Sequence, residues 1–274
     1  MAESLKGEAA PPPGTVLRVA VAAMISPKET ESSYFELLRL VGKQLGRQVQ
    51  LVQRKTYAEV NDLLEHREID LALVCSGPYV EGHRKFGMEL VAVPQVHGGT
   101  VYHSYFIVGR DSPIKDLQGL RGKRFAFVDP DSNTGYIVPR YALSRHGETP
   151  EHFFGETFFT HSHDNSIKAV ANGLADGAAV DSLIYEYINA VAPADTLRTR
   201  VIYKSPPYGI PPVVVHPALD PELKQRLREV FLHLHENPEA RPLLAKIQID
   251  RFVTGNDAMY ASVREMEEAL KAKK

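Results

Sequence analysis

Phe125-Ala126-Phe127-Val128-Asp129-Pro130-Asp131-Ser132-Asn133-Thr134-Gly135-Tyr136 is the stretch on which the fold turns. Its first four residues form the short apolar run of a buried strand, the next five are small or polar, and a helix is expected from Thr134. A strand, a tight turn and a helix start in that order point free backbone N–H groups and the positive end of the helix outward, where an anion can accept them. Ser132 and Thr134 add hydroxyl donors, and Gly135 permits close backbone approach. Ser, Asn and Thr are also the ordinary residues of a helix cap, so this segment alone leaves both readings open.

The same unit recurs on either side. Downstream, a strand near Thr157 to Phe159 leads into His161-Ser162-His163-Asp164-Asn165-Ser166 and a helix from Ser166, and a strand at Gly177 to Val180 leads into Asp181, Ser182 and Tyr185. Upstream, strands at Val16 to Ala22, Val49 to Gln53, Ile69 to Val74 and Leu90 to Val93 alternate with helices near Tyr34 to Leu45 and Tyr57 to Glu65, and Cys75-Ser76-Gly77-Pro78-Tyr79 follows the third strand. Such alternation builds mostly parallel sheets covered by helices, an α/β class. Ligands of open α/β sheets lie beyond the carboxyl ends of the strands, so polar donors recurring there carry more weight than either segment alone.

Two such units predict two lobes, 15–107 with 210–274 and 108–209, behind a disordered tail over 1–14. Extended crossings near 105–113 and 203–213 are candidate hinges. A strand at Val213 to His216 and helices near Pro221 to His235, Pro238 to Lys246 and Asp257 to Lys271 are expected to return to the first lobe.

Composition narrows the function. The 274 residues exceed the usual single-core size, and 43% hydrophobic with 24% charged residues is ordinary for a soluble domain. Thirty-two Lys and Arg against 34 Asp and Glu, a net charge of −2, remove the global attraction on which nucleic-acid binding rests. No apolar run approaches a membrane span. The single cysteine, Cys75, excludes an internal disulfide and a cysteine-based zinc cage.

Catalytic motifs are missing: there is no G-x-S-x-G, H-E-x-x-H or G-x-x-x-x-G-K-[ST], and Gly119 to Arg124 has the wrong spacing for the last. A nucleophilic Cys75 with a distant histidine, and His161 with His163 as metal ligands, are the remaining chemical alternatives; a single cysteine at a strand end is usually structural, and the histidine pair has no third ligand at a recognisable spacing. Asp181 either caps the helix near Leu183 or faces the anion, where a carboxylate repels a fully ionised ligand and accepts a hydrogen bond from a protonated one. Tyr57, Tyr79 and Tyr102 are candidate wall residues.

From about Leu17 to Asp250 the chain resembles the substrate-binding proteins of phosphate, phosphite and phosphonate ABC transporters, a class of two-lobed periplasmic binding proteins. The resemblance rests on Thr56-Tyr57-Ala58-Glu59, on Ile69-Asp70-Leu71-Ala72 with Gly77-Pro78-Tyr79, on Asp131 to Pro139, and on His163 to Asp181. It implies that Ser132, Asn133 and Thr134 bind a phosphorus oxyanion, that His163 joins them, and that Tyr57 and Tyr102 line the pocket. Two departures follow. Asn133 replaces the usual middle Thr, and where aminoalkylphosphonate binders hold the ligand amine with carboxylates this chain has Leu183 and the Pro211-Pro212 region.

The resemblance therefore implies phosphite, phosphate or a small alkylphosphonate rather than 2-aminoethylphosphonate, with no cofactor or metal and no catalysis. It implies a monomer in the periplasm whose export signal has been replaced by Met1, delivering its ligand to a permease or reporting to a membrane sensor kinase. Similar proteins bind arsenite through one cysteine, which keeps Cys75 as an alternative ligand group.

Overall fold

The computed structural model describes residues 15–272; the expected tail over 1–14 lies outside the described residues. The chain runs β1 (Val16–Val21), α1 (Pro27–Leu45), β2 (Gln48–Val52), α2 (Tyr57–Glu65), β3 (Leu71–Leu73), α3 (Ser76–Phe86) and β4 (Glu89–Gln95). Through β5 (Val101–Tyr102) it crosses to β6 (Ser104–Gly109), β7 (Arg124–Phe127), α4 (Val138–Ser144), α5 (Pro150–Phe153), β8 (Glu156–Phe159), α6 (His163–Ala171), β9 (Gly177–Asp181), α7 (Ser182–Val191) and β10 (Thr199–Lys204). It returns through β11 (Tyr208–Gly209) to β12 (Val213–Val215), α8 (Pro221–His233), α9 (Arg241–Lys246), β13 (Arg251–Val253) and α10 (Ala261–Lys271).

Two sheets result. The first has six strands in the order β13-β4-β12-β3-β1-β2, the second five in the order β10-β6-β9-β7-β8. Parallel pairs join β1 to β2 and β3, and β7 to β8 and β9; the strands after each crossing enter antiparallel. Leu71 to Leu73 and Phe125 to Phe127 are buried throughout, as strands covered on both faces must be.

The two crossings pair with each other, Tyr102 opposite Tyr208 and Val101 opposite Gly209, as a short antiparallel ribbon. Tyr208–Gly209 falls inside the crossing expected at 203–213, whereas Val101–Tyr102 lies a few residues before the one expected at 105–113, because β6 belongs whole to the second sheet. The last helix also departs from expectation: α10 packs against α3 beside the first sheet and against α4 beside the second, spanning both lobes.

Two local differences shape the cleft. No α-helix starts at Thr134. Instead Tyr136 and Ile137 both donate to the Ser132 carbonyl, at 3.0 and 2.9 Å, forming one wide π turn over Asn133–Ile137 before α4 begins. Gly135 is needed there because a Cβ would collide with the Val128 side chain. And α3 begins directly after Cys75, a helix that the sequence reading does not include; its Pro78 is tolerated in a first helical turn, whose N–H groups have no intrahelical acceptor.

Candidate functional site

Helix starts line the cleft, each fixed by its cap. Thr56 and Glu59 form a reciprocal capping box that makes Tyr57 the first residue of α2. The Ser132 hydroxyl accepts the Gly135 N–H at 3.1 Å, and Ser162 accepts that of Asn165 at 3.4 Å, so Asn133 and His163 each follow a cap directly. Asp181 Oδ1 accepts the Leu183 and Ile184 N–H groups at 2.7 and 3.4 Å at the start of α7. The caps follow strands or loops at one edge of the sheets, so the side chains after them share a single enclosure.

Three hydrogen bonds fasten the lobes around it. The Tyr57 N–H donates to Asp129 Oδ2 at 3.1 Å, the Ser26 N–H to Asp164 Oδ1 at 2.9 Å, and the His163 N–H to the Met24 carbonyl at 3.0 Å. Met24, Tyr57 and Cys75 from one lobe pack with Val128 of the other.

Inside this enclosure Tyr57 OH, Asn133 Oδ1, Thr134 Oγ1 and His163 Nε2 are buried without a hydrogen-bond partner among the described residues. The neighbouring Ser132 hydroxyl faces Tyr57 without the geometry of a hydrogen bond. An unpaired buried polar group costs about 1–3 kcal/mol, and native proteins leave few of them. Four on adjoining helix starts mark the place where a polar ligand would be held. Asn133 donates its amide to Tyr102 OH at 3.1 Å and so turns its oxygen, an acceptor, toward the others. His163 Nδ1 accepts the Asp181 N–H at 3.0 Å, which leaves the ring proton on Nε2 as a donor. Burial holds the imidazole neutral, pulling its pKa down to about 3 against the opposing pull of Asp164.

Asp181 both caps α7 and enters the enclosure. Burial pushes its pKa up to about 7, against the two N–H groups that favour its anion. Its charge in turn raises the pKa of Tyr34, Tyr57, Cys75 and Tyr102, groups already raised by burial, which places all of them around one carboxylate.

Ser132, Asn133, Thr134, His163, Asp181, Tyr57, Tyr102 and Cys75 thus come together, Cys75 with its Sγ 3.6 Å from Tyr102 OH. Tyr79 and Tyr185 do not. Tyr79 donates to Asp257 Oδ1 at 3.1 Å and packs on Tyr260 behind the cleft. Tyr185 points down α7, where its hydroxyl lies 3.0 Å from Thr199 Oγ1. Sequence reasoning missed Asp129 and Asp164, the carboxylates of the inter-lobe bonds, and Ser104, which donates to the Thr134 carbonyl at 2.6 Å. Asp129 and Asp164 stand inside the segments singled out above; only the fold shows which distant N–H groups they accept. Among the described residues no group of His, Cys, Asp or Glu could hold a metal ion, and no helix is long and apolar enough to cross a membrane.

Two sheets joined by paired crossings, with a polar enclosure between them, define a two-lobed binding protein. Residues 19–260 match the family model described as the periplasmic substrate-binding protein of the phosphonate ABC transporter, and the chain belongs to this family. It is 24% identical to the phosphonates-binding periplasmic protein of Escherichia coli K12 over 255 residues, covering 91% of this chain and 75% of that one. It is 29% identical to the phosphate-import protein PhnD of Mycolicibacterium smegmatis over 232 residues, covering 80% and 71%. A crystal structure of a binding-protein component of an ABC phosphonate transporter from Pseudomonas aeruginosa superposes with a TM-score of 0.89 at 25% identity, covering 94% of this chain and 87% of that one. The family consists of transporter substrate-binding proteins rather than enzymes, which removes the nucleophilic reading of Cys75.

Proposed function

We propose that this protein captures a small phosphorus oxyanion between its lobes in the periplasm and delivers it, as a single chain, to an ABC permease. The observation that carries the reading is the set of four unpartnered polar atoms. Tyr57 OH, Thr134 Oγ1 and His163 Nε2 donate to ligand oxygens, while Asn133 Oδ1 or Asp181 accepts from the proton that the ligand still bears. Phosphite, phosphate and an alkylphosphonate satisfy both halves as monoanions; sulfate has no proton to donate. The lobes, each a sheet with its covering helices, close by rotation about the paired crossings, driven by ligand contacts made from both sides.

Calorimetry with phosphite, phosphate, methylphosphonate and sulfate tests this. One-to-one binding of at least one phosphorus ligand, with sulfate at least about tenfold weaker, is the expected result, since the P–O–H hydrogen bond that sulfate cannot make is worth about 1.5–3 kcal/mol. Equal affinity for sulfate, or no binding by any of the four, rejects it.

A further inference from the structure

Two helices of the first lobe have their starts completed by the second. In α2 the N–H of the cap residue, Thr56, goes to Glu59 of the same helix at 2.9 Å. At α1 the equivalent N–H, that of Ser26, goes instead to Asp164 Oδ1 on α6 at 2.9 Å, and the Ser26 side chain makes no capping bond of its own. The first N–H inside α2, that of Tyr57, likewise crosses to Asp129 Oδ2 at 3.1 Å. Helix starts leave such N–H groups without an intrahelical acceptor, and the helix dipole favours a carboxylate there. Both carboxylates are buried, and each is tied to a ligand-facing segment of its own lobe. Asp129 Oδ1 accepts the Asp131 N–H at 2.9 Å, in the turn that leads to Asn133 and Thr134. Asp164 follows His163, whose N–H reaches the Met24 carbonyl at 3.0 Å, so Met24 and Ser26 grip the first turn of α6 at two points.

We propose that Asp129 and Asp164 are positioning residues for ligand capture, each setting a donor of one lobe in register with the other lobe by completing a helix start across the cleft. Their oxygens are engaged by backbone N–H groups and by Lys168, 3.1 Å from Asp164 Oδ2, so they act through Tyr57 and His163 rather than on the ligand. Through Asp129 the Tyr57 hydroxyl is fixed relative to Asn133 and Thr134. Through Asp164 the His163 ring is fixed relative to the segment that precedes α1. The inference rests on the oxyanion reading, because these are the groups that hold the ligand in it. Its consequence is kinetic: both bonds form only when the lobes meet around a ligand already inside, so they retain the ligand and do not admit it.

The test is calorimetry with phosphite, phosphate and methylphosphonate, joined to phosphorus NMR exchange for the dissociation rate. Asp164→Ala removes the acceptor; Ser26→Pro removes the donor from the other lobe, at a residue whose φ of −57° and ψ of 153° suit proline. Each should weaken binding about tenfold or more, through faster dissociation, and the two together should be no weaker than either alone because they break one bond. Asp164→Asn, which keeps an oxygen for the Ser26 N–H, should recover most of the loss. Asp129→Asn, left with one oxygen for two N–H donors, should lose about tenfold. The ligand-free melting temperature of Ser26→Pro should not fall. Unchanged affinity in Asp164→Ala, additive losses in the double variant, a loss in Asp164→Asn as large as in the alanine variant, or a loss carried by slower association would overturn the positioning role and leave the oxyanion reading standing. If the wild type binds none of the three ligands, both fall.

Discussion

The backbone N–H of Asp181 donates to Nδ1 of His163 at 3.0 Å, and this bond decides what the imidazole can do. With Nδ1 an acceptor, the ring proton resides on Nε2, which faces the enclosure without a partner among the described residues. Because burial takes the pKa to about 3, the ring stays a neutral donor throughout the physiological range. Ligand affinity should show no inflection near pH 6.5, the usual histidine region. Nitrogen NMR should find Nε2 protonated and Nδ1 bare down to about pH 4. His163→Ala should weaken binding roughly 10- to 100-fold, the worth of one hydrogen bond to a charged group. A histidine titrating near 6.5 with loss of affinity on deprotonation would mean that it acts as a cation instead.

Asp181 has the opposite linkage. Its folded pKa, about 7, is raised above the ordinary 3.8, so its contribution to stability is complete below about pH 4 and is lost as pH rises to about 7. His163, lowered from 6.5 to about 3, contributes fully above 6.5 and loses that contribution as pH falls toward 3. The two contributions run in opposite directions and offset each other between about pH 4 and 6.5, so the wild-type melting temperature should be nearly flat over that range. Asp181→Asn keeps the α7 cap, since Asn caps as well as Asp, and should leave the His163 contribution unopposed, so that its melting temperature rises from about pH 4 to 6.5. It should also narrow discrimination against sulfate, because an amide can donate to a fully ionised oxygen. Melting curves from pH 4 to 8 with parallel sulfate titrations check both; an unchanged pH profile and ligand ranking would confine Asp181 to its capping role.

Ser132 and Thr134 stand two residues apart yet have different duties. Ser132 Oγ accepts the Gly135 N–H and holds the π turn, whereas Thr134 Oγ1 has no partner among the described residues. Ser132→Ala should cost about 1 kcal/mol of stability as well as affinity. Thr134→Val, which removes an unpaired buried hydroxyl at nearly constant volume, should leave the melting temperature equal or higher and weaken the ligand at least about tenfold. Equal loss of stability in both variants would make Thr134 a structural residue.

The α/β alternation was legible because its strands are short β-branched or aromatic runs and each lobe repeats one unit. Ser132, Thr134 and His163 could be picked out because polar residues after a strand end are informative in such folds. Tyr79 and Tyr185 looked equivalent in sequence, but a tyrosine following a strand faces whichever way its helix turns, and Asp257 and Thr199 draw these two away. The short strands β5, β11 and β13 escaped detection since two or three residues give no periodicity. The bonds from Tyr57 to Asp129 and from Ser26 to Asp164 join residues far apart in the chain and follow only from the closed fold.

Cys75 is fully buried, and burial raises its thiol pKa despite the Tyr102 hydroxyl beside it, so it is a neutral thiol at pH 7. A thiolate is the group that bonds trivalent arsenic or attacks a disulfide reagent. Cys75→Ser should retain phosphorus-ligand binding within about threefold, and ligand should slow thiol labelling by dithionitrobenzoate. Tight arsenite binding by the wild type, lost in Cys75→Ser, together with indifference to phosphorus ligands would reverse the assignment.

Gly77 supplies the sharpest test that closure is required. It lies in the first turn of α3, so close to the Asp131 carbonyl of the other lobe that a Cβ would overlap that oxygen, with the Ile137 side chain and the Asn133 N–H also within contact range. Backbone oxygen on a turn held by Asp129 and Ser132 cannot swing away as a flexible side chain would. Alanine is a better helix former than glycine by up to about 1 kcal/mol, so Gly77→Ala should not weaken α3 itself. What it should block is the approach of the lobes that sets Asn133, Thr134 and His163 opposite Tyr57. The expected outcome is a folded protein whose ligand affinity is at least about a hundredfold lower, because donors from one lobe are lost together. Small-angle scattering should show the wild type contracting when ligand is added and the variant not contracting. Wild-type affinity in Gly77→Ala would show that the ligand is held by one lobe alone.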